Sequence, residues 1–320
     1  MGIDLIDPFN GNKLTATDKG LMNEQETVFP FEKGAYRIVK DDNYTQNFGY
    51  QWNKFSGTQV DKASNLDISA VRFFAETNWD KENLSGKNVL EVGSGAGRFT
   101  QIILDHTGAG LYSVDYSNAV EANFSNNGPN DRLHLFQASI YHMPFAKDQF
   151  DKVICIGVLQ HTPEVERSVK SLIEMIKPGG ELVVDFYPVT GWWTKLQAKY
   201  LLRPWTKKMS HEKLYKKIDG NIDWLIKTNR FFSKLGVGRL FNRFVPICDI
   251  DGTLPQGLPY PQLRELCVLD TFDMFSPEYD QPQPISRVSD WFKKYGMTNV
   301  WGGFVKYQNC RAAVVKGTKP

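Results

Sequence analysis

VLEVGSGAGRFT, the stretch from Val89 to Thr100, contains the most informative pattern in the chain. Its first residues are mostly apolar and fit a short buried strand, three glycines at alternate positions permit a tight turn, and Arg98 can open a helix. Unpaired N–H groups at such a helix start can face the polar end of a ligand. The dinucleotide fingerprint G-x-G-x-x-G requires glycine at position 98, so the arginine there disfavours a nicotinamide cofactor.

This pattern resembles motif I of the class I S-adenosylmethionine-dependent methyltransferases, which is written as an acidic residue, a hydrophobic residue and G-x-G-x-G. Glu91 stands at the acidic position, and the glycines are Gly93, Gly95 and Gly97. The resemblance implies that the loop backbone faces the methionine part of the cofactor. It also implies that the acidic residue holds the loop and, partly through water, the cofactor's amino end. Taken alone, the loop also fits an ordinary connection between a strand and a helix.

Composition limits the class of protein. The chain has 320 residues, 41% of them hydrophobic and 23% charged, as expected for a globular protein with one sizeable core and additions. No apolar run reaches the ~18 residues that span a bilayer, and the first residues match neither a signal peptide nor a myristoylation site. The four cysteines form no C-x-x-C pair, so no metal site or disulfide framework is expected. We therefore expect a cytoplasmic protein.

A second strand is predicted in GLYSVDYS, from Gly110 to Ser117, and it ends in an acid. Asp115 lies 20 residues after Gly95, where a carboxylate at a strand end can accept hydrogen bonds from both ribose hydroxyls of a nucleotide cofactor. A helix cap or turn aspartate is the alternative. The third strand, Arg132 to Phe145, resembles the family's adenine-contacting segment but has Ser139 where aspartate is usual. Serine keeps one hydrogen bond without the negative charge.

The succession of strand, helix, P-G-G and strand from Phe150 to Pro188 resembles motifs IV and V of the same class. The proline and glycines at 178–180 are predicted to end the helix and turn into the fifth strand. His161 follows the fourth strand, at the edge where open α/β sheets bind ligands, and its imidazole can take a proton from a hydroxyl or amine. Alternatively His161 only caps the helix, and Asp185 or Tyr187 serves as the base. Many such enzymes act mostly by positioning.

The segment from Asn43 to Asp61 is dense in aromatic and amide residues. It resembles the F-G-x-Q-W lead-in of a bacterial methyltransferase branch often encoded among polysaccharide and natural-product enzymes. It is interpreted as a lid over the site, or as an aromatic staple that packs a leader onto the main domain. Before it, FEKGAYRIV predicts one small strand pair, and after it a helix is predicted from Asp67 to Asn78.

Three sets of site residues are therefore expected. His161 is the predicted catalytic base. The resemblance assigns the following residues to the cofactor: Glu91, Gly93, Ser94, Gly95, Gly97, Asp115, Tyr116, Ser139, Ile140 and Gly157. The candidates for the acceptor are Tyr44, Trp52, Asp185, Tyr187 and Tyr279.

A basic insertion follows the fifth strand. Between Lys195 and Arg243 there are 13 lysines and arginines against three acids, with aromatic residues such as Trp192, Trp193 and Trp205 beside them. This composition suits the inner surface of a membrane or an anionic acceptor, and a solvated helical face is the alternative. Nucleic acid is disfavoured because no RNA-binding module is visible. The stretch from Asp270 to Asp280 is interpreted as a loop, either lining the acceptor or structural.

Together these patterns predict a doubly wound, Rossmann-like α/β fold. The expected seven-stranded methyltransferase sheet closes with a reversed hairpin after a helix at 286–296. The predicted domains are an N-terminal extension and lid at 1–60, a cofactor-binding core at 61–190, a helical cap insertion at 191–284, and a C-terminal helix and hairpin at 285–320.

The predicted activity is transfer of a methyl group from S-adenosylmethionine to an oxygen or nitrogen of a small molecule, a sugar or a lipid-linked glycan. Two rival functions stay open. One is a non-catalytic module that binds S-adenosylmethionine or docks through its basic insertion. The other is a nicotinamide-dependent oxidoreductase.

Overall fold

The computed structural model describes most of the chain. By contacts it divides into two compact units, the first comprising 1–188, 279–305 and 312–320 and the second comprising 189–278 and 306–311. Trp192, Trp193, Lys195 and parts of the lead-in and insertion lie outside the described residues. The described residues are 2–24, 26–39, 44–55, 67–79, 83–189, 191, 194, 196–238, 243–254, 256–308 and 310–320.

A mixed sheet of 12 strands organises the first unit, in the order β1-β2-β3-β4-β5-β8-β7-β6-β9-β10-β12-β11. Strands β8, β7, β6, β9 and β10 run parallel, and β12 is antiparallel to β10, as the predicted reversed hairpin requires. The strands are β1 Leu5–Ile6, β2 Lys13–Ala16, β3 Gly20–Met22, β4 Thr27–Glu32, β5 Ala35–Arg37, β6 Asn88–Val92, β7 Gly110–Asp115, β8 Leu133–Gln137, β9 Phe150–Cys155, β10 Ile176–Phe186, β11 Thr298–Tyr307 and β12 Cys310–Thr318.

Helices connect the central strands. Those of the first unit are α1 Gln46–Lys54, α2 Ile68–Thr77, α3 Arg98–His106, α4 Val120–Asn127, α5 Val165–Met175 and α10 Ile285–Lys294. Those of the second unit are α6 Ala198–Thr206, α7 His211–Lys234, α8 Ile250–Thr253 and α9 Tyr260–Phe275. None of the described helices is both long and apolar enough to cross a membrane.

Apolar side chains on both faces of the central strands are buried. Leu90 and Val153 join one apolar cluster, whereas Val89 and Ile154 join another. Helices α5 and α10 contribute to the first cluster, and helices α2 and α3 contribute to the second. Because successive side chains of a strand point to opposite faces, two clusters on alternate residues are what a doubly wound sheet requires.

The expected count of seven strands is wrong for this sheet. The predicted pair β4 and β5 is present, but β1 to β3 extend it, and β5 pairs in parallel with β8 through Tyr36 opposite Phe136. Apolar residues of the N-terminal strands, such as Leu21 and Phe29, belong to the same cluster as Leu90. The N-terminal strands therefore widen the central sheet and share its core.

Two local predictions also need correction. Helix α5 ends at Met175, before the proline and glycines at 178–180, and β10 runs through them with an irregular register between Ile176 and Glu181. In addition, much of the loop predicted from Asp270 to Asp280 is helical, since α9 continues to Phe275. Most of α9 is buried on all sides, and this explains why no amphipathic period marks it in the sequence.

Candidate cofactor and acceptor site

The glycine loop after β6 is fastened to the end of β7. One carboxylate oxygen of Asp115 accepts the N–H of Gly95 at 2.8 Å, and the other accepts the N–H and hydroxyl of Ser117 at 2.8 and 2.6 Å. The N–H of Gly93 donates to the carbonyl of Val114 at 2.7 Å. Burial raises the pKa of Asp115, whereas these hydrogen bonds oppose the rise. Asp115 thus sets the loop's shape, and its ribose contact stays a prediction.

The three loop glycines have positive φ values of 83°, 52° and 86°, which favour glycine. A β-carbon at Gly93 would lie 2.1 Å from Val158, and one at Gly97 would lie 2.2 Å from the amide of Asn127. The site's fourth glycine, Gly157, also has a positive φ, but a β-carbon there would meet open space. The loop glycines are therefore needed for close packing within the chain, and Gly157 leaves room for a ligand.

Glu91 is fully buried beneath the loop. One of its oxygens accepts the hydroxyls of Thr100 at 2.5 Å and Ser113 at 2.7 Å, and the other has no partner among the described residues. Desolvation raises the pKa of Glu91 to about 7, against the opposing effect of the two hydroxyls. Glu91 thus joins β6, α3 and β7, and its predicted contact with the cofactor's amino end stays a prediction.

Arg98 turns away from the loop and donates to the hydroxyl of Ser69 on α2 at 2.8 Å. The hydroxyl of Ser94, inside the loop, is buried and has no partner within the described part of the chain. A buried hydroxyl without a partner is uncommon in a folded protein and marks a place where a ligand's polar group fits.

Helix α1 lies over the ends of β6 and β7 and carries the F-G-x-Q-W residues. The helix contacts the backbone that follows β7, since a β-carbon at Gly49 would stand at an ordinary contact distance of 3.4 Å from the nitrogen of Asn118. The indole of Trp52 lies against the loop, 3.1 Å from where a β-carbon of Gly95 would stand. The ring of Tyr44 lies 5.4 Å from the ring of Tyr116. The lead-in thus packs on the glycine loop, as both the lid and the staple interpretations require.

His161 lies in a short 3₁₀ turn, Leu159–His161, beyond the end of β9 and is buried. Its Nδ1 lies 3.0 Å from the backbone carbonyl of Tyr279. Because a carbonyl only accepts, Nδ1 carries the proton and Nε2 keeps the lone pair. The rings of Phe48 and Tyr187 meet the imidazole edge to face, at 5.1 and 5.6 Å. The structure thus brings three of the predicted residues together, with His161 between Tyr187 and Tyr279.

Asp185 is the penultimate residue of β10, and both of its carboxylate oxygens accept hydrogen bonds. One accepts the N–H of Gly157 and the other accepts the guanidinium of Arg72, which also donates to Glu76 at 2.8 Å. Burial and the nearby Asp185 raise the pKa of Glu76 to about 7, and Arg72 opposes them. Both oxygens of Asp185 are engaged. The geometry therefore favours a role for Asp185 in positioning Gly157 and disfavours a role as proton acceptor.

Two buried glutamines in this region are missing from the predicted set. Gln51, on α1 one turn from Phe48, is 1% exposed, and its side-chain oxygen has no partner among the described residues. Gln160, next to His161, is 0% exposed, and neither atom of its amide has a partner there. The sequence contained a signal for both, because Gln51 is the amide of F-G-x-Q-W and Gln160 adjoins the predicted base.

The remaining predicted residues lie after β7 and β8. Ser139 and Ile140 are buried, and the Ser139 hydroxyl accepts the N–H of Tyr141 at 3.2 Å. Burial raises the pKa of Tyr116. The amide of Gln137, at the end of β8, is paired with Arg37 and Asn118 at 2.9 and 2.8 Å. Gln137 is thus committed to structure, and the adenine contact of Ser139 and Ile140 stays a prediction.

These residues fit S-adenosylmethionine on three counts. The loop and Asp115 have the geometry that a nucleotide site needs at the point where the strand order reverses between β6 and β9. Second, there is open space beside Gly157. Third, the Ser94 hydroxyl lacks a partner among the described residues. Bound there, the cofactor supplies a methyl group activated by a positively charged sulfur.

Comparison with known proteins agrees with this fit. Residues 90–184 match the model of a family described as a methyltransferase domain. A tRNA U34 carboxymethyltransferase of Nautilia profundicola is 30% identical over 111 residues, which are 34% of this chain and 37% of that protein. A ubiquinone biosynthesis O-methyltransferase of Coxiella burnetii is 33% identical over 102 residues, 31% of this chain and 43% of that protein. The chain thus spans about two fifths of the curated relatives it matches.

A solved magnesium protoporphyrin IX methyltransferase of Synechocystis PCC 6803 with bound S-adenosylmethionine is 12% identical, with a TM-score of 0.47 over 87% of this chain and 94% of that chain. The family match covers the glycine loop, Asp115 and the turn that contains His161. Residues 90–184 are therefore similar to a methyltransferase domain, and the residues of the glycine loop fit S-adenosylmethionine as the cofactor.

Proposed function

We propose that the chain transfers a methyl group from S-adenosylmethionine to an oxygen or nitrogen in an uncharged part of a small molecule, a sugar or a lipid-linked glycan. The observation that carries the proposal is the 3.0 Å contact between the His161 Nδ1 and the Tyr279 carbonyl, because a neutral imidazole that donates through Nδ1 keeps the lone pair on Nε2. A base so held takes the proton of a hydroxyl or amine as the methyl group transfers.

The surroundings of His161 favour an uncharged acceptor. The rings of Phe48 and Tyr187 contact its imidazole, and Gln160, whose amide is buried, precedes it in the chain. Arg72 is already paired with Asp185 and Glu76. Aromatic rings give flat apolar contacts, and an amide offers one donor and one acceptor group to a hydroxyl.

Gln160 supports the same proposal. Burying an amide without a partner costs about 1–3 kcal/mol of stability, so such a group is typical of a ligand site. We infer that Gln160 hydrogen-bonds the acceptor. Peripheral contact of the basic insertion with a membrane surface is a separate proposal, developed below.

Replacing Gln160 with leucine, which has a similar volume, is expected to raise the KM for the acceptor by about 10-fold to 100-fold. The cofactor's Kd should change by less than about twofold, and unfolding free energy should rise by about 1–3 kcal/mol. The matched control is Gln137→Leu, whose amide is paired with Arg37 and Asn118, so that this change should destabilise the fold.

The assay is transfer of a labelled methyl group to a panel of nucleotide-activated sugars, lipid-linked glycans, phenols and total tRNA, followed by kinetics on whichever acceptor is methylated. Methylation of the sugar, glycan or phenol moiety, with the stated KM effect, supports the proposal. Transfer to tRNA alone, or an unchanged KM in Gln160→Leu, contradicts it.

A further inference from the structure

One side of helix α7 carries a row of exposed apolar side chains, here called the apolar line. It is separate from the side of the helix that is buried in the core. Trp224 and Phe231 are 65% and 59% exposed, and Leu235, which directly follows the last helical residue, is 60% exposed. With Lys213 and Lys217 nearer the N-terminus, they lie within about 40° of one another around the helix axis, because 3.6 residues make one turn. The line extends over about 33 Å of helix, at 1.5 Å per residue.

The core face of α7 lies on another side of the helix. Leu214, Ile218, Ile222 and Leu225 are buried, and α9 packs against α7 within the second unit. A helix needs only one apolar stripe to join a core. The exposed tryptophan, phenylalanine and leucine therefore add nothing to that packing, and large exposed apolar groups in a line are typical of an interaction surface.

The exposed side of α7 is also positively charged. The acids on the helix are already paired: Asp219 and Asp223 with Arg264, and Glu212 with Lys216. In the described part of the chain, Lys213, Lys217 and Lys234 form no ion pair, and all three are exposed. An uncompensated basic face attracts an anionic surface.

Helix α6 also carries exposed apolar residues. Leu201 and Trp205 are 57% and 65% exposed, Leu202 is also exposed, and two lysines follow directly, of which Lys207 pairs with Glu278. Leucine side chains gain little from stacking on nucleic-acid bases, whereas leucine, tryptophan and phenylalanine all gain from contact with acyl chains. The exposed leucines of the two segments therefore favour lipid over RNA as the partner.

We propose that α7, through Trp224, Phe231, Leu235 and its flanking lysines, binds the interface of an anionic phospholipid membrane. The helix lies along the surface, with its apolar line at the level of the headgroups and acyl chains and its lysines beside the phosphates. This inference is independent of the methyl acceptor.

The test is sedimentation of the full chain with vesicles of phosphatidylcholine alone or with about 30% phosphatidylserine, which provides the negative surface. We expect binding to the anionic vesicles roughly tenfold or more tighter than to neutral ones, and weaker at high salt. Trp224→Ser with Phe231→Ser, and separately Lys213→Glu with Lys217→Glu, should each weaken binding by roughly tenfold.

Matched controls change exposed residues outside α7: Trp301→Ser for the aromatic pair, and Lys293→Glu with Lys306→Glu for the charge pair. They should leave vesicle binding unchanged, and all variants should keep the cofactor affinity of the unaltered chain. The proposal is overturned if the chain does not bind anionic vesicles or if the α7 variants bind them as tightly as the control variants do. It is also overturned if a single-stranded RNA binds through the substituted α7 residues tenfold tighter than the vesicles do.

Discussion

Replacing Asp115 with alanine is expected to weaken the binding of S-adenosylmethionine by about a hundredfold. The change removes the acceptor for the Gly95 N–H and the two bonds with Ser117, so the loop loses the contact that shapes it. It also removes the carboxylate predicted to hold the ribose. Hydrogen bonds to a charged group contribute about 1.5–3 kcal/mol each, so the loss of one or two of them corresponds to the expected hundredfold loss of cofactor affinity.

Calorimetric titration of the two proteins with the cofactor measures this loss. Asp131→Ala, at an exposed turn before β8, is the control and should bind as the unaltered chain does. An unfolding midpoint within a few degrees would show that Asp115→Ala still folds. Unchanged affinity in a folded Asp115→Ala protein would contradict the nucleotide role of this carboxylate.

Replacing His161 with alanine is expected to lower kcat by about 10²- to 10⁴-fold, the usual contribution of a general base. The cofactor's Kd should change by less than about twofold, because the imidazole lies between Tyr187, Phe48 and the Tyr279 carbonyl and not at the glycine loop. Single-turnover methyl transfer on the identified acceptor measures the chemical step directly.

The pH dependence separates a base from a structural histidine. If Nε2 accepts the proton, the kcat of the unaltered chain should fall on acidification, and the profile of His161→Ala should lack that acidic limb. His106→Ala, at the exposed end of α3, is the control. A His161→Ala protein with full kcat would mean that the enzyme acts by positioning alone.

Local patterns predicted the centre of this molecule well. The strand, glycine loop and helix from Val89 onward, the strand that ends in Asp115, and the final helix and hairpin are all confirmed by the structure. Each rests on short-range rules: apolar runs, glycine at turns, and helical spacing. His161 lies beside Tyr187 for a related reason, because the ends of the neighbouring strands β9 and β10 meet at one edge of the sheet.

What was missed depends on long-range packing. Strands β1 to β3 have two to four residues each, too short for a periodic signal, and they are stabilised by joining a core whose other side chains lie far along the chain. Helix α9 is apolar on most sides, so its period is hidden. The pairing of Arg72 with Asp185 joins residues 113 apart, a separation that no local pattern encodes.

Calorimetric titration of the unaltered chain with S-adenosylmethionine and, separately, with NADH shows which cofactor the glycine loop binds. We expect micromolar binding of S-adenosylmethionine and none of NADH, because Arg98 occupies the position where a dinucleotide loop needs glycine. Binding of NADH alone would contradict it and restore the oxidoreductase. Binding of neither cofactor by the folded chain would contradict it as well, and would leave the basic insertion as the functional surface.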